Sequence, residues 1–547
     1  MFSSKLHQIE QKRASAPPLP TGAAPWTSSR QFKISTSNDK SFANSWDRHF
    51  SRIGSRLKAS VLKTAALASG PTQTISLGTG RPAAEFYPWA SLSMDIPRRA
   101  STEDDIHLTC AAGEATYGLN VALNYGYSAG SPQLLRFITE RCAITTGTTS
   151  AIDHTLQILC DARDYILVEE YTYPGFIDGA KALGVKLVGV KMDEDGLLPG
   201  DLDHILRNWD NTIDKRPSLL YMIPTGHNPI GITQSTERRK AIYAVAELHD
   251  LLIIEDDPYM FLQLQRAGTH FPPIETSQTP EDHYLAILPT SYLSLDISGR
   301  VIRLDSTSKI LAPGLRCGWI TACSQIMAKF LARTDVSTVS TNGPTQIMLY
   351  KLLDESWGHD GFVRWLMELS GNYTRRVSIF SRACERYLPR DVCSWKIPED
   401  GMFLWIRLEP KWSKANSPAI DDASCRHSFD VEGAIYEDAR RRGVTISRDS
   451  WFQVHSEAEP RTIHFRLTFA AASESDLDLA VQRFADAIAA ILKHASSEFS
   501  STLQGPDSDN AGLNSENPWV SQASKGPPST YRAADCDSSM SGGCAPA

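Results

Sequence analysis

Between residues 46 and 496, short apolar runs alternate with stretches of helical periodicity. The runs are YILVEE (165–170), VKLVGV (185–190), SLLYMI (218–223), LLIIED (251–256), VIRLDS (301–306) and LRCGWIT (315–321). Several are apolar nearly throughout, as strands are when both faces of a sheet are covered. Helical patterns fill the gaps, at 150–161 and at 235–250, where Ser/Thr caps open a segment carrying Ile242, Val245, Ala246 and Leu248. Strand–helix alternation predicts a mostly parallel α/β sheet. Ligand sites in such sheets lie beyond the carboxyl ends of the strands. The pattern changes from about 376 onward. Strand-like FLWIRL (403–408) and TIHFRLTF (462–469) enclose the charged helical segment 432–443, and a last helix is predicted over 475–492. This predicts a second, smaller α+β domain.

The ends of the chain lack such periodicity. Residues 1–45 are rich in Ser, Pro, Thr and Ala, and residues 497–547 are similar. Such segments cannot bury enough apolar surface to offset their chain entropy, so both are expected to be disordered. The expected division is therefore a tail (1–45), an arm with part of the small domain (46–110), a large domain (111–375), a small domain (376–496) and a second tail (497–547).

Composition narrows the function classes. The 547 residues carry a formal net charge of −8, which gives no basic footprint for nucleic acid. No run approaches the ~18 consecutive apolar residues of a membrane span. The 10 cysteines are scattered without a CxxC pair, so free thiols are expected rather than a disulfide framework or a metal site. That fits a reducing compartment, and the expected location is the cytoplasm. The Ser-rich, acid-poor N-terminus keeps a mitochondrial reading open.

The chemistry concentrates in Arg303-Leu304-Asp305-Ser306-Thr307-Ser308-Lys309 and the following Ala312-Pro313-Gly314-Leu315-Arg316-Cys317-Gly318-Trp319. A strand ends in a hydroxyl-rich turn that delivers a lysine, and an arginine follows seven residues later. Hydroxyls and a guanidinium suit a phosphate. A lysine beside them, partly out of water, suits a Schiff base. A lone lysine would be a solvated amine; the combination is what carries the signal.

This arrangement resembles the class I/II, fold-type I, aminotransferase family of pyridoxal-phosphate enzymes. The other parts of that family's site appear in the same order. Thr145 to Ser150 open a helix, whose free N–H groups bind anions. The resemblance implies that Thr148, Thr149, Ser306, Ser308 and Arg316 hold the cofactor phosphate. Tyr173 would stack on the pyridine ring. Asn228, in Pro224 to Gly231, and Tyr259 would bond the phenolic oxygen. Asp256, three residues before Tyr259, would keep the pyridine nitrogen protonated. Arg466, inside a strand-like apolar run, would grip the substrate carboxylate through its fork. Tyr125 would reach the phosphate of a neighbouring subunit, which implies a homodimer. Gly80 would belong to a substrate-side loop, and Lys63 lies near a position that influences substrate choice. The segment from His49 to Lys63 is similar to the start of fungal aromatic and 2-aminoadipate aminotransferases.

The resemblance implies transfer of an amino group from an aromatic or 2-aminoadipate-like L-amino acid to a 2-oxo acid. Lys309 would be the anchor and the general base. One departure concerns the substrate side: Arg448-Asp449 stand before Ser450-Trp451-Phe452, where the family has Pro-Gly. β-Elimination or C–S cleavage on the same scaffold is the alternative, because fold does not fix reaction type. A regulator with an N-terminal winged helix is disfavoured by the Ser/Pro-rich start. Neither a P-loop nor a convincing GxGxxG after a strand is present.

Overall fold

The computed structural model describes residues 43–59, 86–97, 104–138, 142–212, 214–264, 279–409, 431–454 and 463–503, the last with side chains to 494, and the isolated positions 8, 11, 15 and 19. Gly80, Lys63 and most of both tails lie outside the described residues. The chain divides into two compact units, Met1–Ala495 and Ser496–Ala547. All that follows concerns the first.

A seven-stranded sheet forms its centre. Its strands are β3 (Cys142–Thr145), β4 (Tyr165–Glu169), β5 (Lys186–Val190), β8 (Leu219–Met222), β9 (Leu252–Asp256), β10 (Val301–Ser306) and β11 (Gly318–Thr321), in the spatial order β3-β11-β10-β9-β8-β4-β5. β4, β5, β8, β9 and β10 pair in parallel, while β11 runs antiparallel to both β10 and β3. Two antiparallel pairings return β3 to the common direction. The carboxyl ends of β3, β4, β8, β9 and β10 therefore share one edge.

The sheet is covered on both sides. Ile166, Val168, Leu219, Tyr221, Leu252, Ile254, Ile302 and Leu304 enter one apolar cluster. Their neighbours Leu167, Leu220, Met222, Leu251, Ile253 and Val301 enter another. Successive side chains of a strand point to opposite faces, so one apolar run feeds both layers. This is why the sequence there is continuously apolar rather than alternating.

A second sheet is antiparallel, in the order β12-β13-β15-β14, with β12 Cys393–Trp395, β13 Phe403–Leu408, β14 Ser447–Arg448 and β15 Ile463–Thr468. Its alternation is plain on β15, where Phe465 and Leu467 are buried and His464 and Arg466 are only half-buried. Two two-stranded ribbons, β1–β2 (Ser91–Ile96 with Ile106–Ala111) and β6–β7 (Met192–Asp193 with Gly196–Leu197), complete the described strands. Helix Gly358–Tyr387 spans residue 376, where the sequence pattern changes.

Most predicted elements form within a residue or two of their expected limits, with three exceptions. The last helix, expected over 475–492, runs Glu474–Leu503 and so enters the segment expected to be disordered from 497. The run at 315–321 becomes a strand only at Gly318, because Pro313–Leu315 close a tight turn and Arg316 takes a left-handed conformation at φ 46°. Helix Thr236–His249 is capped by Ser235, whose side chain accepts from Arg238 N. Its Leu248, expected on the inner face, is 64% exposed, whereas Arg239 and Tyr243 are buried with Ile242 and Ala246. Among the described residues no helix is long and apolar enough to cross a membrane, and no cluster of metal-ligating side chains occurs. The seven described cysteines are free.

Candidate active site

The shared edge of the central sheet gathers the expected residues. Each strand that ends there hands the chain to one of them. β3 leads to Thr148 and Thr149, β4 to Tyr173, β8 to Asn228, β9 to Asp256 and Tyr259, and β10 to Ser308 and Lys309. Register does the rest. Ser306 pairs with Gly318, and Gly318 pairs with Thr145, so three strands place the Ser306 turn, the Arg316 turn and the start of helix Thr148–Leu159 side by side.

That corner gathers the kinds of group that suit an anion. The helix starts after Gly147, which makes no side-chain cap, so its first N–H groups are left for a ligand. Gly147 has φ +85°, and a Cβ there would lie 2.7 Å from Nη2 of Arg316. The arginine thus lies across the helix start because the glycine has no side chain. It donates to the carbonyls of Pro313 at 3.0 Å and Thr146 at 3.4 Å. Ser306 donates to Ser308 Oγ at 2.9 Å and accepts from Ser308 N at 3.1 Å, which sets the hydroxyl turn before Lys309. Thr149 is exposed and Thr148 half-buried. Lys309 is half-buried; burial, then the positive charge of Arg466, hold its amine below the ordinary lysine range, against the opposing pull of Asp256.

Asp256 ends β9 at 4% exposure. Its Oδ2 accepts from the hydroxyl of Tyr221 at 2.7 Å. Its Oδ1 is buried and has no hydrogen-bond partner. A buried carboxylate oxygen without a donor is costly, so a missing donor is expected there. Burial raises the Asp256 carboxyl to about 7, with Tyr221 pulling the other way. Tyr259, also buried, hydrogen-bonds Asn228, and burial raises its hydroxyl above the usual range.

Asn228 sits in a turn held from several sides. His227 is 1% exposed, and its Nε2 lies 2.9 Å from Oε2 of the buried Glu169. The same oxygen accepts from Ile223 N at 2.9 Å. Arg239 donates to Pro224 O and Thr225 Oγ1, both at 3.0 Å. Gly226, at φ +51°, leaves room for Gly401, whose Cα would lie 2.8 Å from an added Cβ. The loop before β13 therefore packs directly on the turn.

Arg466 completes the group from the second sheet. Its Nη1 donates to Oδ1 of Asn228 at 2.7 Å and its Nη2 to Oγ of Ser447 at 3.0 Å. Its guanidinium lies 4.6 Å from the ring of Phe403 and 4.8 Å from that of Phe452, two aromatic contacts that help to hold the fork. Phe452 is placed by the stretch that departs from the family pattern. Arg448 pairs with Glu432 at 2.9 Å, Asp449 accepts from His464 N at 3.1 Å, and Phe452 O accepts from Thr172 N at 2.9 Å. An ion-paired turn thus stands where a Pro-Gly turn was expected.

The structure brings together Lys309, Asp256, Tyr259, Asn228 and Arg466, with Tyr173 beside Tyr221, Tyr259 and Arg466 in electrostatic reach. Tyr125 is 58% exposed, and no contact joins it to the others among the described residues. Gly80 lies outside the described residues. Sequence reasoning missed Tyr221, Ser447, Phe403 and Phe452. Tyr221 could have been noticed as the one hydroxyl within an otherwise apolar strand, since a buried hydroxyl needs a partner.

Comparison with known proteins agrees with this geometry. Residues 125–484 match the family described as aminotransferase class I and II. An aminotransferase, swnA, of Arthroderma benhamiae is 44% identical over 466 residues, covering 83% of this chain and 93% of that one. An aromatic amino acid aminotransferase of Schizosaccharomyces pombe is 35% identical over 464 residues, covering 80% of this chain and 96% of its own length. The crystal structure of aminotransferase Aro8 from Candida albicans superposes with a TM-score of 0.74 at 31% identity, covering 83% of this chain and 100% of that one.

Proposed function

The chain belongs to the aminotransferase class I and II family, and on that premise we propose that it binds pyridoxal 5′-phosphate at Lys309 and moves an amino group from an aromatic or 2-aminoadipate-like L-amino acid to a 2-oxo acid. The family depends on this cofactor in general. The observation that carries the reading is the unpaired Oδ1 of Asp256, buried at the strand end that faces Lys309. A protonated ring nitrogen is the donor it lacks.

The residues divide the work. The first N–H groups of helix Thr148–Leu159, the hydroxyls of Thr148, Ser306 and Ser308, and the Arg316 guanidinium hold the phosphate. Thr149, exposed at the helix start, adds a hydroxyl at the rim. Tyr173 covers one face of the ring. Asn228 spends Oδ1 on Arg466, so its amide N–H₂, one hydrogen of which can serve Tyr259, is the group that donates, with the Tyr259 hydroxyl, to the phenolic oxygen. When bound, the cofactor supplies a ring that withdraws the electron pair left by removal of a proton. Asp256 keeps a proton on the ring nitrogen, and the positive charge it gains as partner stabilises its own ionised form. Arg466 binds the substrate carboxylate with its planar fork. The lowered basicity of Lys309 leaves a larger share of its amine neutral than in an ordinary lysine, so Nζ can take the α-proton and return one.

The donor preference rests on the relatives' names and on the aromatic surroundings of Arg466. Aromatic amino acid and L-tyrosine:2-oxoglutarate aminotransferases are among the proteins this chain is similar to. A homodimer is part of the proposal: Tyr125 is exposed on a single chain, as a residue serving a partner's site must be.

The test is an absorbance spectrum of the purified protein before and after amino acids are added without any keto acid. A cofactor band that moves from the aldehyde to the amine form with tyrosine, phenylalanine, tryptophan or 2-aminoadipate is the expected result. Ammonia release without an acceptor would assign lyase chemistry instead. Lys309→Ala is expected to bind the cofactor weakly and to lose turnover; normal turnover would remove Lys309 from its role.

A further inference from the structure

We infer that Tyr221 is a positioning residue of this site: by occupying Oδ2 of Asp256 it leaves Oδ1 as the single acceptor for a protonated ring nitrogen and governs how firmly that nitrogen keeps its proton. The inference rests on the proposed cofactor and deepens it.

Three observations carry it. Tyr221 pairs with Ile254 across the parallel strands β8 and β9, so it shares a face with Asp256 two residues further on. The hydroxyl reaches Oδ2 at 2.7 Å, and Oδ1 of the same carboxyl is left with no partner. The tyrosine ring is itself held in place, stacked on Phe176 with centroids 3.7 Å apart and planes 14° from parallel. Phe176 lies on helix Pro174–Ala182, which begins directly after Tyr173. The ring-facing tyrosine and the tyrosine behind Asp256 are thus braced by one short helix.

The charges around the pair explain why one hydroxyl matters. Asp257 and Asp305 oppose ionisation of Asp256, and Lys309 favours it. No salt bridge reaches Asp256 among the described residues. Around Tyr221 stand Asp256, Glu169 and Tyr173, all of which disfavour a phenolate, and burial adds to them. Tyr221 therefore stays protonated and serves as a donor. A hydrogen bond to an ionised carboxylate stabilises the charged form. That charged form is what holds the proton on a ring nitrogen. A ring with its positive charge repels a second proton on the Lys309 linkage; a ring without it lets that linkage stay protonated to higher pH.

The experiment is a pH titration of the cofactor's absorbance in the holoenzyme, for the wild type, Tyr221→Phe and Phe176→Leu, with steady-state kinetics alongside. In Tyr221→Phe the midpoint is expected to rise by about one pH unit and kcat to fall about tenfold, with KM within about twofold and the cofactor still bound. Phe176→Leu disturbs the packing but keeps the hydroxyl, so its melting temperature should fall while its midpoint stays near the wild type's. An unchanged midpoint in Tyr221→Phe, or an equal shift in Phe176→Leu, would overturn the inference. If Tyr221→Phe does not fold, 3-fluorotyrosine at position 221 keeps the shape and gives a stronger donor. The midpoint should then move down, and no movement would likewise overturn the inference. A wild-type protein without any cofactor band would instead remove the proposed function on which all of this rests.

Discussion

Three consecutive acids end strand β9, and they meet opposite fates. Glu255 and Asp257 turn to one face of the sheet, where Arg303 lies 2.9 Å from the first and 3.2 Å from the second. The same arginine pairs with Asp305 at 2.8 Å. Glu255 also accepts from Tyr292 N at 2.9 Å and from Leu293 N at 3.1 Å, which ties helix Tyr292–Leu295 to the strand end. Asp256 turns to the other face, where it meets a hydroxyl on one oxygen and nothing on the other. The paired acids are structure. A buried charge is tolerable when a cation and hydrogen bonds compensate it. Asp257 too keeps one buried oxygen without a hydrogen bond, but its other oxygen meets Arg303; Asp256 is the one of the three that no cation of the described residues pairs. One residue of spacing separates the two roles, because side chains alternate across a strand.

The comparison can be broken from the Asp256 side first. Asp256→Asn should lower the half-transamination rate by about 10³-fold or more, since a charge aimed at the reacting system is lost. Its melting temperature should hold or rise, because an uncompensated buried carboxyl is gone. Rapid-mixing absorbance and thermal unfolding of the same preparation check both halves, and a large fall in stability would place Asp256 among the structural acids.

Arg303→Met should do the reverse. It leaves Asp257 and Asp305 without their cation and Glu255 with only Arg239, at 3.9 Å, and the fold should lose about 3–5 kcal/mol. Denaturant unfolding measures this. Activity per folded molecule should survive better than in Asp256→Asn. Equal losses of rate in the two variants would erase the distinction between the faces.

The smallest effect sharpens the comparison through pH. Asp256 is held at about 7 in the free protein, well above its ordinary value. A raised carboxyl favours folding fully below the unfolded value near 4, and that contribution is lost as pH rises towards 7. Cofactor-free protein should therefore lose stability between about pH 4 and 7, by at most ~4 kcal/mol from this group. Asp256→Asn should flatten that slope only in part, because burial holds Asp400 at about 7 as well. Thermal melts across pH, on wild type and variant without cofactor, decide the matter; identical slopes would show that Asp256 is not held protonated.

Much of this was legible in residue order. The strand ends and their hydroxyl, asparagine, aspartate and lysine followers are local features, and the continuous apolar runs announced a sheet buried on both faces. The misreadings share one cause, which is that they depend on partners far along the chain. Leu248 belongs to the apolar set of its helix by composition, yet the sheet covers the face of Ile242 and Ala246, and Leu248, about 200° round the helix from Ala246, points outward. LRCGWIT looks like one strand, but Arg316 must turn left-handed to lie over Gly147, nearly 170 residues earlier in the chain. Arg448-Asp449 read as a loss of the expected turn, and Glu432 restores it by pairing with Arg448 while His464 hydrogen-bonds Asp449.

The sequence by itself determined the sheet, the family and the residue types that line the strand ends, because hydrophobic period and short motifs are properties of neighbours in the chain. Only the tertiary structure decided which of three adjacent acids is left without a cation, which tyrosine stands behind it, and that Arg466 meets Asn228 beside two phenylalanines. Those are matters of register, facing and burial. They exist only when strands distant in sequence are set side by side, since a carboxylate becomes reactive or inert according to what the neighbouring strand puts against it.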